Sequence, residues 1–393
     1  MARLTHEELN EILKQEGVDR IWSWSKFNTF KTSPYEYYLK YILHIAEDRH
    51  DCIYTSTGSL AHDIIERFYK GEIQYEDMVE EFEDGWITLY DISQLKFDRN
   101  DEERNKSIGE KYHKNLQHFF KNHTKLEHKP ALEQFVKVKI GDNLFQGYID
   151  CCFKDDDACF NIIDWKTSSI YKNEKAKKEC GQLVEYAIAL NQMGVPMDKI
   201  KIAWNFLKYC TVQYEQANGA IKSRIIERFE LGEKLQSNLK VWLKRLGYQE
   251  EIDDYLKMVI DTNSIKCLPE DVQKKYIISD CYVYVDLTDE LINYWVDDII
   301  VTIKDIELRE KDWEETHSAK IWWDTDESVD AQSYYFSTLS GYSPNLHKPY
   351  AEYLEKLEAS KNGDIFGNVG VSSSSKAINN KSDEVDLSWL NSI

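Results

Sequence analysis

No stretch of this chain reaches the apolar length of a membrane span, and no charged-then-apolar leader opens it. A cytoplasmic protein is the expectation. Its eight cysteines (positions 52, 151, 152, 159, 180, 210, 267 and 281) form no C-x-x-C pair and no disulfide-like spacing, which predicts buried thiols in a reducing compartment. Positive charge is scarce as well: 49 Lys and Arg face 70 Asp and Glu, a net −21. Such a balance opposes contact with a polyanion, because phosphate contacts need Lys and Arg.

The distribution of charge answers most of that objection. Residues 72–103 hold 12 acids and 2 bases, and residues 283–331 hold 15 acids and 4 bases, so these two stretches carry the whole excess. Residues 160–245 run the other way, with more bases than acids. Overall acidity then limits non-specific adhesion more than function. At 393 residues and 42% hydrophobic, the chain can bury one large core or two modest ones.

The most informative stretch is Gln146-Gly147-Tyr148-Ile149-Asp150, followed by Asn161-Ile162-Ile163-Asp164-Trp165-Lys166-Thr167. Both halves are rich in β-branched and aromatic residues, and the polar run Lys154-Asp155-Asp156-Asp157 between them predicts a hairpin. Alternation sends Asp164 and Lys166 to one face and Trp165 to the other, with Asp150 close to the pair. Two carboxylates and an amine then meet at the rim of a sheet. Carboxylate oxygens suit a hard divalent ion such as Mg²⁺. A lysine beside it can orient a water and balance charge on a phosphorane. Taken alone, Asp and Lys two apart on a strand read more readily as a solvated face.

The rest of the chain supplies context. Thr5-His6-Glu7-Glu8 fits a capping box that opens a short helix. Aromatics at 27, 30, 37, 38 and 41 have helical spacing around Pro34 and read first as core packing. Residues 58–70 read as an amphipathic helix with His62 and Glu66 one turn apart. Residues 71–129 form a long, acidic helical pattern, and 131–140 alternate as a strand in which Glu133 either approaches the ion-binding carboxylates or, the first reading, faces solvent. The lysines at 172, 175, 177 and 178 are either a solvated run or a phosphate-contacting loop, and Gln182 and Tyr186 share a helix face. Residues 200–209 alternate as a strand, 224–246 read as a long cationic helix, and another helix runs from about 287 to 310 after a variable region.

The segment Gly58-Ser59-Leu60-Ala61-His62-Asp63-Ile64-Ile65-Glu66, the Gly147 to Asp150 spacing, Asp164-Trp165-Lys166-Thr167 and Gln182-Leu183-Val184-Glu185-Tyr186 stand in a telling order. Together they resemble the RecB-like branch of the PD-(D/E)xK nuclease superfamily. The resemblance implies an α/β fold, a restriction-endonuclease-like core with a central mixed sheet flanked by helices and carrying helical insertions. It also implies that His62, Asp150 and Asp164 bind Mg²⁺ or Mn²⁺ and that Lys166 completes the catalytic set. Gln182 and Tyr186 would then lie beside the nucleic acid, with Lys172 and Lys175 placed to contact phosphate. Glu66 is either a partner that fixes the His62 tautomer or a plain surface glutamate. Iron–sulfur members of this group place cysteines where this chain has Ser33, Ser337 and Ser340. A hydroxyl cannot replace a thiolate there, so no iron–sulfur cluster is expected.

The implied activity is metal-dependent hydrolysis of DNA, as an exonuclease on single strands or strand ends. Recombination, repair or phage DNA metabolism is the implied setting, in the host cytoplasm if phage-encoded. An endonuclease, an RNase, or a non-catalytic nucleic-acid-binding scaffold are the alternatives. With no G-x-x-x-x-G-K-[ST] motif, unwinding falls to a partner helicase, and a single-strand annealing protein is the other candidate partner. The expected plan is a nuclease domain over 1–355, with a helical insertion at about 71–130 and a C-terminal helical part at about 250–355. A flexible tail is expected over 356–393, its end Asp383-Glu384-Val385-Asp386-Leu387-Ser388-Trp389-Leu390 reading as a docking peptide or an exposed terminus.

Overall fold

A capping box between Thr5 and Glu8 starts helix α1 (His6–Glu16), and Gly17 ends it in left-handed backbone at φ 67°. The computed structural model describes residues 4–323 and 338–347, with 350, 352, 355, 356 and 359. Ser337 and nearly all of the expected tail lie outside the described residues. After α1 come strand β1 (Trp22–Ser23) and α2 (Trp24–Thr32), which buries Trp24, Phe27 and Phe30 as their helical spacing predicts. His62 rides on α3 (Ile53–Lys70), which starts before the expected Gly58. The acidic insertion resolves into α4 (Asp77–Trp86) and α5 (Glu102–Asn122).

The expected hairpin is present as β3 (Asn143–Lys154) and β4 (Phe160–Lys166), preceded by β2 (Ala131–Ile140). Helix α6 (Gly181–Gln192) then leads to the long strand β5 (Ile200–Glu215). The first half of β5 pairs in parallel with β4, and its second half pairs antiparallel with β6 (Ile221–Glu227). Helices α7 (Leu231–Arg245) and α8 (Ile252–Thr262) precede β7 (Tyr276–Val285), and α9 (Asp289–Thr316) follows it. β7 lines the other edge of β5, with a break in register between Asn205 and Cys210. Two expectations are corrected here. Residues 221–227 are a strand and not the start of the cationic helix, and the stretch read as variable contains β7.

The resulting mixed sheet has a different helical layer on each face. On one face α2, α6 and α9 bury Trp24, Leu183, Trp204 and Trp295 against it. On the other, α3, α4 and α5 bury Ile64, Phe82, Leu116 and Trp165. Helices α4 and α5 therefore help to close one face of the sheet. A third cluster, including Val212, Leu235, Val259 and Ile278, joins the far end of β5 to α7 and α8.

Candidate active site

The site lies at a gap in the sheet. β3 pairs with β1 through Phe145 and Gln146, and with β4 only from Cys151 onward, so 147–150 have no strand on that edge. A cleft of about 730 Å³ opens here, walled by His62 and Glu66 of α3, Tyr148 and Asp150 of β3, and Gln182 and Tyr186 of α6. Tyr186 fills part of the gap. Its hydroxyl donates to the Tyr148 carbonyl (2.8 Å) and accepts from Gln182 Nε2 (3.0 Å), so a side chain satisfies a carbonyl on the interrupted stretch. Gly147 is needed for this fit, because a Cβ there would lie 2.5 Å from the Tyr186 ring.

The β3–β4 ladder ends at Cys151 and Ile163, one residue before Asp150 and Asp164, so the two aspartates stand in register where the strands part. Across β2 the ladder skips Glu133, which stands opposite Asp150 and has φ 47°. Alternation slips at this point. Ile149 and Cys152 both join the core on the α6 side, while Cys151 joins the core on the α3 side. Irregularities of this kind re-aim side chains beside active sites.

The Trp165 peptide holds two of the candidate residues. Its N–H donates to Asp150 Oδ2 (3.2 Å), and its carbonyl lies 2.8 Å from His62 Nε2. A carbonyl only accepts, so Nε2 carries the proton and Nδ1 the lone pair. Nδ1 lies 3.6 Å from Asp150 Oδ2. Burial lowers the His62 pKa and keeps the ring neutral. Burial first, and then the neighbouring Asp164, pushes the Asp150 carboxyl well above its ordinary range. Two acceptors facing each other call for a proton or a cation between them.

Lys166 and Asp164 are almost fully enclosed, with side chains 3% and 5% exposed. The ammonium donates to Asp164 Oδ1 (3.2 Å) and lies 2.9 Å from Oδ2, off the line of a hydrogen bond. That Oδ2 is buried and accepts none. Two carboxylates and a neutral imidazole, the latter held through its other nitrogen by a backbone carbonyl, are a donor set that fits a hard divalent cation. Among the described residues no three His, Cys, Asp or Glu side chains already converge as a metal cage, and Lys166 balances Asp164 instead.

A family model described as the PD-(D/E)XK nuclease superfamily matches residues 21–266. The chain belongs to this superfamily. The matched span holds His62, Asp150, Asp164 and Lys166, and membership makes the fold that of a metal-dependent nuclease acting on nucleic acid. No curated protein matches the chain. Among the described residues no helix is long and apolar enough to cross a membrane.

The remaining expected residues of this superfamily member divide. Gln182 and Tyr186 do line the cleft. Lys172 is exposed, Lys175 sits over the Tyr171 ring at 5.6 Å, and neither lines it. Glu66 lines the cleft and pairs with Lys70, while the Trp165 carbonyl sets the His62 tautomer. Ser33 accepts from the Glu36 N–H (3.3 Å), and Ser340 bonds both to Glu36 and to His347 Nε2 (2.8 Å), in one buried polar cluster. Tyr148 of the cleft escaped the sequence reading, in which Glu133 reads first as solvent-facing. Tyr148 was available from alternation with Asp150, whereas the placement of Glu133 depends on a backbone irregularity that residue types do not announce.

Proposed function

We propose that the chain is a Mg²⁺- or Mn²⁺-dependent deoxyribonuclease of the RecB-like branch, acting as an exonuclease on single strands or strand ends. One observation carries the reading: Asp150 and Asp164 stand in register at a break in the sheet, beside a buried lysine and a neutral imidazole. His62, Asp150 and Asp164 would hold the cation, and Glu133, which lines the cleft with His62 and Asp150, would add a further carboxylate. When bound, such an ion supplies Lewis acidity at the phosphate and lowers the pKa of water. The chain's own groups do the rest. Lys166, fixed by Asp164, donates a hydrogen bond to the attacking water and offsets charge that builds on the phosphorane. The Trp165 peptide fixes the orientation of His62 and Asp150. Tyr186 and Gln182 form a firm wall against which the nucleotide is positioned.

The setting is DNA recombination, repair or phage DNA metabolism, with a helicase or annealing protein as partner. The preference for single strands or strand ends follows the resemblance to the RecB-like branch. No iron–sulfur cluster belongs to this reading, since Ser33, Ser337 and Ser340 carry hydroxyls where thiolates would be needed. Purified protein is therefore expected to be colourless, and stoichiometric iron with acid-labile sulfide would refute that. The activity is tested with end-labelled DNA and RNA, single- and double-stranded, linear and circular, in Mg²⁺, Mn²⁺ or chelator. Mononucleotide release from linear DNA only, abolished by chelator, is expected. Cleavage of circles would make it an endonuclease, and preference for RNA would change the substrate.

A further inference from the structure

Helix α1 borders the cleft without being part of the core. None of its residues is buried, and its inward stripe of Leu9, Ile12, Leu13 and Glu16 is only half-covered. Leu4 and Leu9 nonetheless line the same cleft as His62 and Asp150. The segment has few polar attachments to the sheet. The Leu4 N–H donates to the Tyr148 hydroxyl (2.8 Å), and Glu16 pairs with Lys137 and with Lys139 (2.8 Å to the latter). Those two hydrogen-bonded lysines hold the Glu16 carboxyl down to about 2. The helix carries four glutamates against one lysine, an unexpected charge to find over a site for a polyanion.

The two lysines sit in a telling place. Paired residues of an antiparallel ladder share a face, and Lys137 pairs with Gln146 while Phe135 pairs with Tyr148. Gln146, Tyr148 and Asp150 are cleft residues. Lys137 therefore stands beside the cleft, about 14 Å along β3 from Asp150 at about 3.4 Å per residue. Both lysines are exposed, on the face opposite the buried Val136, Val138 and Ile140. Their sole ion-pair partner among the described residues is the carboxylate of Glu16.

We propose that Lys137 and Lys139 form a contact site for the phosphate backbone of a nucleic acid strand, masked by Glu16 of a displaceable α1. The Glu16 carboxylate occupies the place of a phosphate. An incoming strand exchanges its phosphates for that carboxylate, and Leu4 and Leu9 leave the cleft together with the helix. The inference rests on the nuclease reading and adds to it a binding site and an entry step.

Full-length wild type, Glu16→Gln, Lys137→Ala/Lys139→Ala and the triple variant are titrated with a fluorescein-labelled oligothymidylate, in chelator, across a salt series. Glu16→Gln is expected to bind several-fold more tightly. Its log K against log salt is expected to steepen by roughly 0.7 for each contact released. The triple variant is expected to lose that gain. Unchanged affinity and slope in Glu16→Gln, or a gain that survives removal of both lysines, would overturn the proposal while wild-type cleavage leaves the nuclease reading standing. If no variant binds and wild type cleaves nothing, the nuclease reading fails and the masked site fails with it.

Discussion

Two buried ionic clusters in this molecule are built differently. Around Asp280, His123 Nδ1 and Arg228 Nη2 each approach a different carboxylate oxygen at 2.6 Å, and Tyr69 closes the other side of His123 at 2.8 Å. Arg228 also lies over the Phe119 ring at 5.1 Å, and its Nε donates to the Leu207 carbonyl. Burial raises the Asp280 carboxyl, but His123 and Arg228 outweigh it and hold the group ionised below its ordinary pKa. The cluster ties β7 to α5 and to the turn before α7. Beside the cleft the matching is looser: Asp150 faces a lone pair, and the Asp164 oxygen 2.9 Å from the Lys166 ammonium accepts no hydrogen bond. A buried carboxylate with both oxygens met by donors of the chain is a fastening, whereas a carboxylate facing a lone pair fits the proposed cation site.

The largest effects should separate the two clusters. Asp150→Asn, which replaces an acceptor facing the His62 lone pair, is expected to abolish cleavage while circular dichroism and the unfolding midpoint stay close to wild type. Asp280→Asn should do the reverse, costing about 3–5 kcal/mol in denaturant unfolding and leaving folded molecules active, because Arg228 loses its buried counter-charge. A stable Asp280 variant, or an active Asp150 variant, would erase the distinction. Next comes Lys166→Ala, for which single-turnover kinetics should show a loss of about 10²–10³, the range for removing one transition-state donor. Binding should change little. If instead turnover holds and the salt slope of duplex binding flattens by about 0.9, Lys166 is a phosphate contact.

A pH titration sharpens the structural side. His118, on α5, has its pKa lowered to about 4, first by burial and then by Arg228. Its folded value lies below its unfolded value, so the neutral ring contributes stability that is complete above about pH 6.5 and lost as pH falls through 4. That window is linked to about 3 kcal/mol at most. His118→Gln is expected to flatten the acid limb of stability against pH in urea melts, and an unchanged limb would show that the ring titrates normally. The smallest effect is expected at Gly147→Ala, where Tyr186 must yield to the new Cβ. A cost of about 1–3 kcal/mol is expected from such overpacking, with a few-fold loss of turnover as the wall loosens. A variant as active and stable as wild type would show that the wall is not positioned through that contact.

Much of this arrangement was legible in the residues. Alternation placed Asp164 and Lys166 together with Trp165 opposite, and the four motifs in order pointed to the superfamily that the family model shows. What stayed hidden depends on tertiary pairing. β1 is two residues long and has no periodicity to detect. The bases at 224 and 228 looked like one helical face, yet Arg224 belongs to an edge strand and Arg228 is buried against Asp280. Glu133 reaches the cleft through a positive φ, and the pairing of Glu16 with Lys137 joins residues 121 positions apart. The lysines at 172 and 175 looked well placed in sequence, but neither lies in the cleft lining.

The most direct test of the cation site is thermal unfolding of the full chain in Mn²⁺ and in chelator, for wild type and Asp164→Ala. At about 100 times its Kd, Mn²⁺ is expected to stabilise wild type by about 2.7 kcal/mol and the variant not at all. Equal stabilisation of both proteins, or none in a wild type that still cleaves DNA in chelator, would contradict it.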